Sequence, residues 1–147
     1  MSSCRLWVCL GLLAGLLQAA CREPPVPPLP PGVDVQHYDL TLRLDPGASG
    51  LQARAVLDVV HPDTLTALPL ALAGMVVDSM RVNGMILSPN HRSDRLQVPI
   101  QAGRRSSRLD VFYHGAPKKG VYRARYEGQP VLFTDSWPDE GSGWLPG

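Results

Sequence analysis

Residues 38–44 read Tyr-Asp-Leu-Thr-Leu-Arg-Leu and residues 51–59 read Leu-Gln-Ala-Arg-Ala-Val-Leu-Asp-Val. In the first run Tyr38, Leu40, Leu42 and Leu44 alternate with Asp39, Thr41 and Arg43. In the second, Leu51, Ala53, Ala55, Leu57 and Val59 alternate with Gln52, Arg54 and Asp58. A period of two places successive side chains on opposite faces of a strand, so each run predicts one buried and one wet face. Between them lies Asp45-Pro46-Gly47-Ala48-Ser49-Gly50, a cluster of turn-forming residues, and the pair reads as a β-hairpin.

The same rhythm continues downstream. His61-Pro62-Asp63 ends the second strand, because proline has no N–H for the ladder. Leu68, Leu70 and Leu72 begin a third strand that Pro69 assigns to a sheet edge. Residues 75–82 form a fourth, and Asn83-Gly84, a strong hairpin signal, returns the chain through 85–87. Leu96, Val98 and Ile100 mark a further strand, as do Leu109, Val111 and Tyr113. Residues 122–126 and 131–133 flank a turn at Glu127-Gly128-Gln129-Pro130. No window beyond the first 20 residues sustains a helical period. The fold class is all-β: an antiparallel sandwich or saddle, preceded by a signal helix and a proline-rich tether.

The chain has 147 residues with Lys+Arg 14 and Asp+Glu 13. Setting aside Arg5 in the N-terminal apolar segment leaves cations and acids balanced. A near-neutral body has no long-range field to recruit nucleic acid or an anionic membrane. Residues 1–20 hold one cation, a short apolar run from Leu6 to Leu17 and small residues before Cys21, the pattern of a secretory signal peptide. The run is shorter than the ~20 residues needed to span a bilayer. Of three cysteines, Cys4 and Cys9 fall within the signal, so Cys21 has no internal disulfide partner after cleavage. The Ala19-Ala20-Cys21 junction resembles the lipobox of bacterial lipoproteins, with Gln18 departing from it; lipidation at Cys21 and plain cleavage nearby both stay open. Residues 21–32 include Pro24, Pro25, Pro27, Pro28, Pro30 and Pro31, which favour an extended spacer.

A catalytic site is not legible. A His-Glu-x-x-His zinc helix needs two imidazoles one turn apart, but His37, His61, His91 and His114 are scattered and none precedes a glutamate. Gly-x-Ser-x-Gly is also missing. The clusters Arg104, Arg105, Arg108 and Lys118, Lys119, Arg123, Arg125 read as solvated surface. No catalytic residue, metal ligand or cofactor is expected in this chain, and no turnover from it alone. Trp137 and Trp144 fall in a Gly- and Pro-containing tail without strand or helix period. They are expected to stand exposed unless a neighbour covers them.

Several stretches, in order, resemble the N-terminal domain of the aminopeptidase N / leukotriene-hydrolase family of zinc metallopeptidases, in its bacterial form. They are His37-Tyr38-Asp39-Leu40-Thr41-Leu42, the mate at 51–59, Val82-Asn83-Gly84, Tyr113-His114-Gly115 and Gly120-Val121-Tyr122. The most specific is Phe133-Thr134-Asp135-Ser136-Trp137-Pro138, followed by Trp144-Leu145-Pro146. The resemblance spans 33–147 and implies a β domain at 33–132 and, at 133–147, a segment leading towards a catalytic domain absent from this chain. That domain would hold the zinc and is the implied partner, with peptide the substrate of the full-length enzyme. The resemblance implies that Asp135, Ser136 and Trp137 lie at the substrate edge, where many members face the free amine with Gln or Glu. Here Trp137 stands at the second polar position, and Glu140-Gly141-Ser142-Gly143 intervenes where relatives carry Ala-Arg. Trp137 and Trp144 are alternatively packing residues of the interdomain seam. The implied location is the bacterial cell envelope or periplasm, with membrane contact only through a lipid on Cys21. The competing interpretation is a free-standing, lipid-anchored β-sandwich for binding or adhesion.

Overall fold

Leu51, Ala53, Ala55, Leu57 and Val59 alternate along the second strand of the chain, and every one of them is buried. The computed structural model describes residues 28–44, 50–92, 94–117, 119–135 and 140–147. The signal segment, Cys21, most of the tether, Ser136 and Trp137 lie outside the described residues. The strands are β1 (Asp34–Leu44), β2 (Leu51–Val60), β3 (Ala67–Ala71), β4 (Met75–Val82), β5 (Met85–Leu87), β6 (Asn90–Arg92), β7 (Arg95–Pro99), β8 (Ser106–Gly115), β9 (Val121–Tyr126) and β10 (Gln129–Thr134). A single 3-10 turn follows at Glu140–Gly143.

The strands form three antiparallel sheets: five strands in the order β1-β2-β8-β4-β5, three in the order β3-β7-β6, and the β9–β10 ribbon. β8 is central to the larger sheet, pairing Leu57 with Leu109 and Ala55 with Val111 on one side. On the other it pairs Met80 with Val111 and Val82 with Leu109. Leu68 opposite Val98 and Leu70 opposite Leu96 supply the apolar face of the three-stranded sheet. All of these residues join one core cluster. Each fully buried aliphatic side chain there contributes roughly 1.5–3 kcal/mol of transfer free energy.

Turn chemistry sets the register. Val82 pairs with Met85, so Asn83 and Gly84 form a two-residue turn, with φ of 50° and 83°. Both values are positive, as a type I′ hairpin requires. Tyr126 pairs with Gln129 in the same manner around Glu127 (φ 49°) and Gly128 (φ 79°). This turn is thus tighter than expected: Gln129 and Pro130 already belong to β10, where proline is tolerated at an edge.

Two expectations need correction. β1 does not bury a full face: Tyr38 and Leu44 are exposed, while Leu40 and Leu42 are half-buried. β1 is the outer strand of five, with a sheet neighbour, β2, on one side only. The second concerns Trp144, which is 7% exposed and lies in the core cluster with β2 and β8. Its fate is set by long-range contacts rather than by the local pattern of the tail.

The outer face of the five-stranded sheet is a charged lattice. Arg54 Nε and Nη2 donate to the two carboxylate oxygens of Asp110 at 2.8 and 2.9 Å, and its guanidinium lies 5.3 Å from the Phe112 ring centre. These hydrogen bonds hold the Asp110 carboxyl below the usual carboxylate range. Arg108 pairs with Asp58, and His114 Nδ1 contacts Asp78 at 2.8 Å. A register shift between Val77 and Ser79 accommodates Asp78 as an extra residue in β4.

Candidate functional site

Of the positions singled out in the sequence, Asp135 lies at the end of the β9–β10 ribbon. Tyr122 and Phe133 face each other across it, their rings stacked with centroids 5.5 Å apart and planes 27° apart. Phe133 remains 50% exposed and Tyr126 69%, so the ribbon presents an aromatic face to solvent. A two-stranded ribbon gains little stability by itself in water. Beyond Thr134, which pairs with Val121, the Asp135 N–H donates to the Gly120 carbonyl at 3.2 Å. That bond extends the ladder one step and fixes the backbone of an exposed Asp135. Of the three substrate-edge candidates, Asp135 alone falls within the described residues.

The tail returns to the body of the domain. The Tyr113 hydroxyl donates to the Trp144 carbonyl at 2.8 Å, and the Tyr38 hydroxyl to the Pro146 carbonyl at 2.6 Å. Gly147 and Ala71 exchange two backbone hydrogen bonds, and Ala73 N–H donates to the Ser142 carbonyl at 2.8 Å. Desolvation raises both phenols; the Tyr38 side chain is partly exposed, but its hydroxyl sits in a part-buried bond to Pro146, and the Tyr113 phenol nearby adds to the Tyr38 shift. Trp144 Nε1 is buried without a hydrogen-bond partner among the described residues. Sequence reasoning missed this docking, although Trp-Leu-Pro after a glycine-rich turn is a compact apolar motif in need of a surface.

The four histidines are dispersed in space as in sequence. His61, 2% exposed, contacts the Pro62 carbonyl and the Ser107 hydroxyl. Nε2 of His91 contacts the Leu72 carbonyl. Among the described residues no group of three or more His, Cys, Asp or Glu side chains is placed to hold a metal ion. Also among the described residues, no helix is long and apolar enough to cross a membrane.

No family model matches the sequence, and no curated protein matches it either. Solved structures do. An M1 zinc metallopeptidase variant from Deinococcus radiodurans, bound to a Tyr-Ser-Ala substrate, is 26% identical with a TM-score of 0.64 over 79% of this chain and 29% of that one. A two-domain M1 zinc metallopeptidase with bound L-tryptophan is 27% identical, TM-score 0.67, over 82% of this chain and 31% of that one. Yeast LTA4 hydrolase shares the fold, with a TM-score of 0.68 over 88% of this chain at 14% identity. The structural neighbours of this chain are thus M1 zinc metallopeptidases and LTA4 hydrolase, consistent with an N-terminal domain of that family. The chain spans less than a third of the length of the M1 enzymes it matches.

Proposed function

We propose that this chain is the non-catalytic N-terminal β domain of an exported zinc metallopeptidase of aminopeptidase type. Its role is to form one wall of a peptide site whose zinc and general base belong to a further domain. The similarity to a metallopeptidase holding a tripeptide, at 26% identity across most of this chain, is the observation that carries the reading. Asp135 fits the task chemically. Asp135 is an exposed residue whose backbone is tied to Gly120, and its carboxylate has the charge to pair with a peptide's free ammonium group. Ser136 and Trp137 follow it directly and complete the proposed substrate edge. Export through residues 1–20 and an acyl anchor on Cys21 would hold the domain at the bacterial envelope, with residues 22–32 as spacer.

The nucleotide sequence after codon 147 tests this directly. Continuation in frame into a catalytic domain with His-Glu-x-x-His is the expected result; a frame without it defeats the reading. Intact mass of the exported protein tests the anchor, since an unmodified Cys21 thiol excludes it. A second reading, a free-standing lipid-anchored binding module, draws support from Trp144, whose indole is spent on this domain's own core. Purified full-length chain that captures surface ligands, with no catalytic domain in frame, would favour it.

A further inference from the structure

Gly143 lies so close to the backbone before β9 that a Cβ there would stand 2.8 Å from the Lys119 carbonyl oxygen. The next carbonyl along, that of Gly120, accepts the Asp135 N–H. The 3-10 turn at Glu140–Gly143 therefore abuts the peptide adjoining the one that holds Asp135. Its own position is fastened from the other side. Ser142 accepts from Ala73, Gly147 exchanges two bonds with Ala71, and the hydroxyls of Tyr113 and Tyr38 hold the carbonyls of Trp144 and Pro146. The Trp144 ring is driven into the core although its Nε1 finds no partner there. An unpaired buried N–H costs free energy, so packing of the ring and these backbone bonds outweigh it.

We propose that residues 140–147 are a clamp that positions Asp135, with Gly143 transmitting the restraint through Lys119 and Gly120, and with Tyr113 and Tyr38 as positioning residues that keep the clamp closed. The significance of Asp135 rests on the function proposed above; the clamp itself does not. An aspartate on a two-stranded ribbon would otherwise share that ribbon's low local stability. Restraining its backbone through a segment fastened to the core leaves fewer conformations of Asp135 to be ordered when a substrate arrives, which lowers the cost of binding.

Amide hydrogen exchange of the full-length chain tests the clamp, using Gly143→Ala and the Tyr38→Phe/Tyr113→Phe double variant. Wild type should protect the Ala71, Ala73, Asp135 and Gly147 amides. Both variants should speed exchange at Asp135 by about fivefold or more, the change expected when one or two hydrogen bonds of about 1 kcal/mol are lost. Amides of Leu57 and Val111 in β2 and β8 should keep their protection. Three results overturn the proposal: unprotected tail amides in wild type, an Asp135 amide unchanged in the variants, or equal acceleration throughout β2 and β8. A reading frame lacking the zinc motif would defeat the proposed function yet leave the exchange result intact, so the two failures are distinguishable.

Discussion

The hydroxyl of Tyr113, on the central strand of the larger sheet, lies 2.8 Å from the carbonyl of Trp144 in the tail and donates to it. The bond is buried and joins residues 31 positions apart. Replacing Tyr113 by Phe keeps the ring but leaves the Trp144 carbonyl without that donor, at an expected cost of about 1–3 kcal/mol. Tyr38→Phe acts on a partly buried bond at a sheet edge and should cost less, about 1 kcal/mol. Urea denaturation of the two variants checks both the size and the order.

Stability should fall at alkaline pH. Burial raises both Tyr38 and Tyr113 above the ordinary value of 10.0, so the folded state keeps protons that the unfolded chain releases. The stabilisation is complete below about pH 10 and is lost progressively as the pH rises from there towards the folded-state values. Urea midpoints at about pH 8 and about pH 11 should differ more in wild type than in the Tyr38→Phe/Tyr113→Phe variant. Equal shifts in both proteins would refute the assignment to these two phenols.

Trp144 separates packing from hydrogen bonding. Its ring is buried, but Nε1 has no partner among the described residues, so Trp144→Phe removes volume without breaking a polar contact described for that atom. Trp144→Ala should cost about 3–5 kcal/mol, and Trp144→Phe clearly less. Thermal or chemical unfolding of both variants provides the comparison.

Gly84 isolates a backbone effect. Its φ is +83°, and an added Cβ would meet nothing within 4 Å. Gly84→Ala should therefore destabilise only through the left-handed conformation, by about 1–2 kcal/mol. The Met85 and Val82 amides of the same hairpin should exchange faster, while β2 and β8 are unaffected.

What the sequence revealed was what neighbouring residues decide. Asn83-Gly84 announces its own turn, and the apolar alternation from Leu51 to Val59 announces the buried face of β2. β6 was missed because Asn90, His91 and Arg92 carry no apolar alternation; the strand exists through pairing with β7. The exposure of Tyr38 and Leu44 goes with the edge position of β1, which no local pattern encodes. Trp144 looked unsheltered for a similar reason: its shelter is a core assembled from distant strands, and its carbonyl is held by Tyr113. Asp135 was legible only through family resemblance, and the Gly120 bond that holds it required the structure.

Zinc analysis together with intact mass of the native polypeptide that carries this sequence is the decisive measurement. A polypeptide extending past Gly147 that binds about one zinc ion through the His-Glu-x-x-His helix of its further domain is the expected result. A native polypeptide that ends at Gly147 and holds no zinc would contradict it.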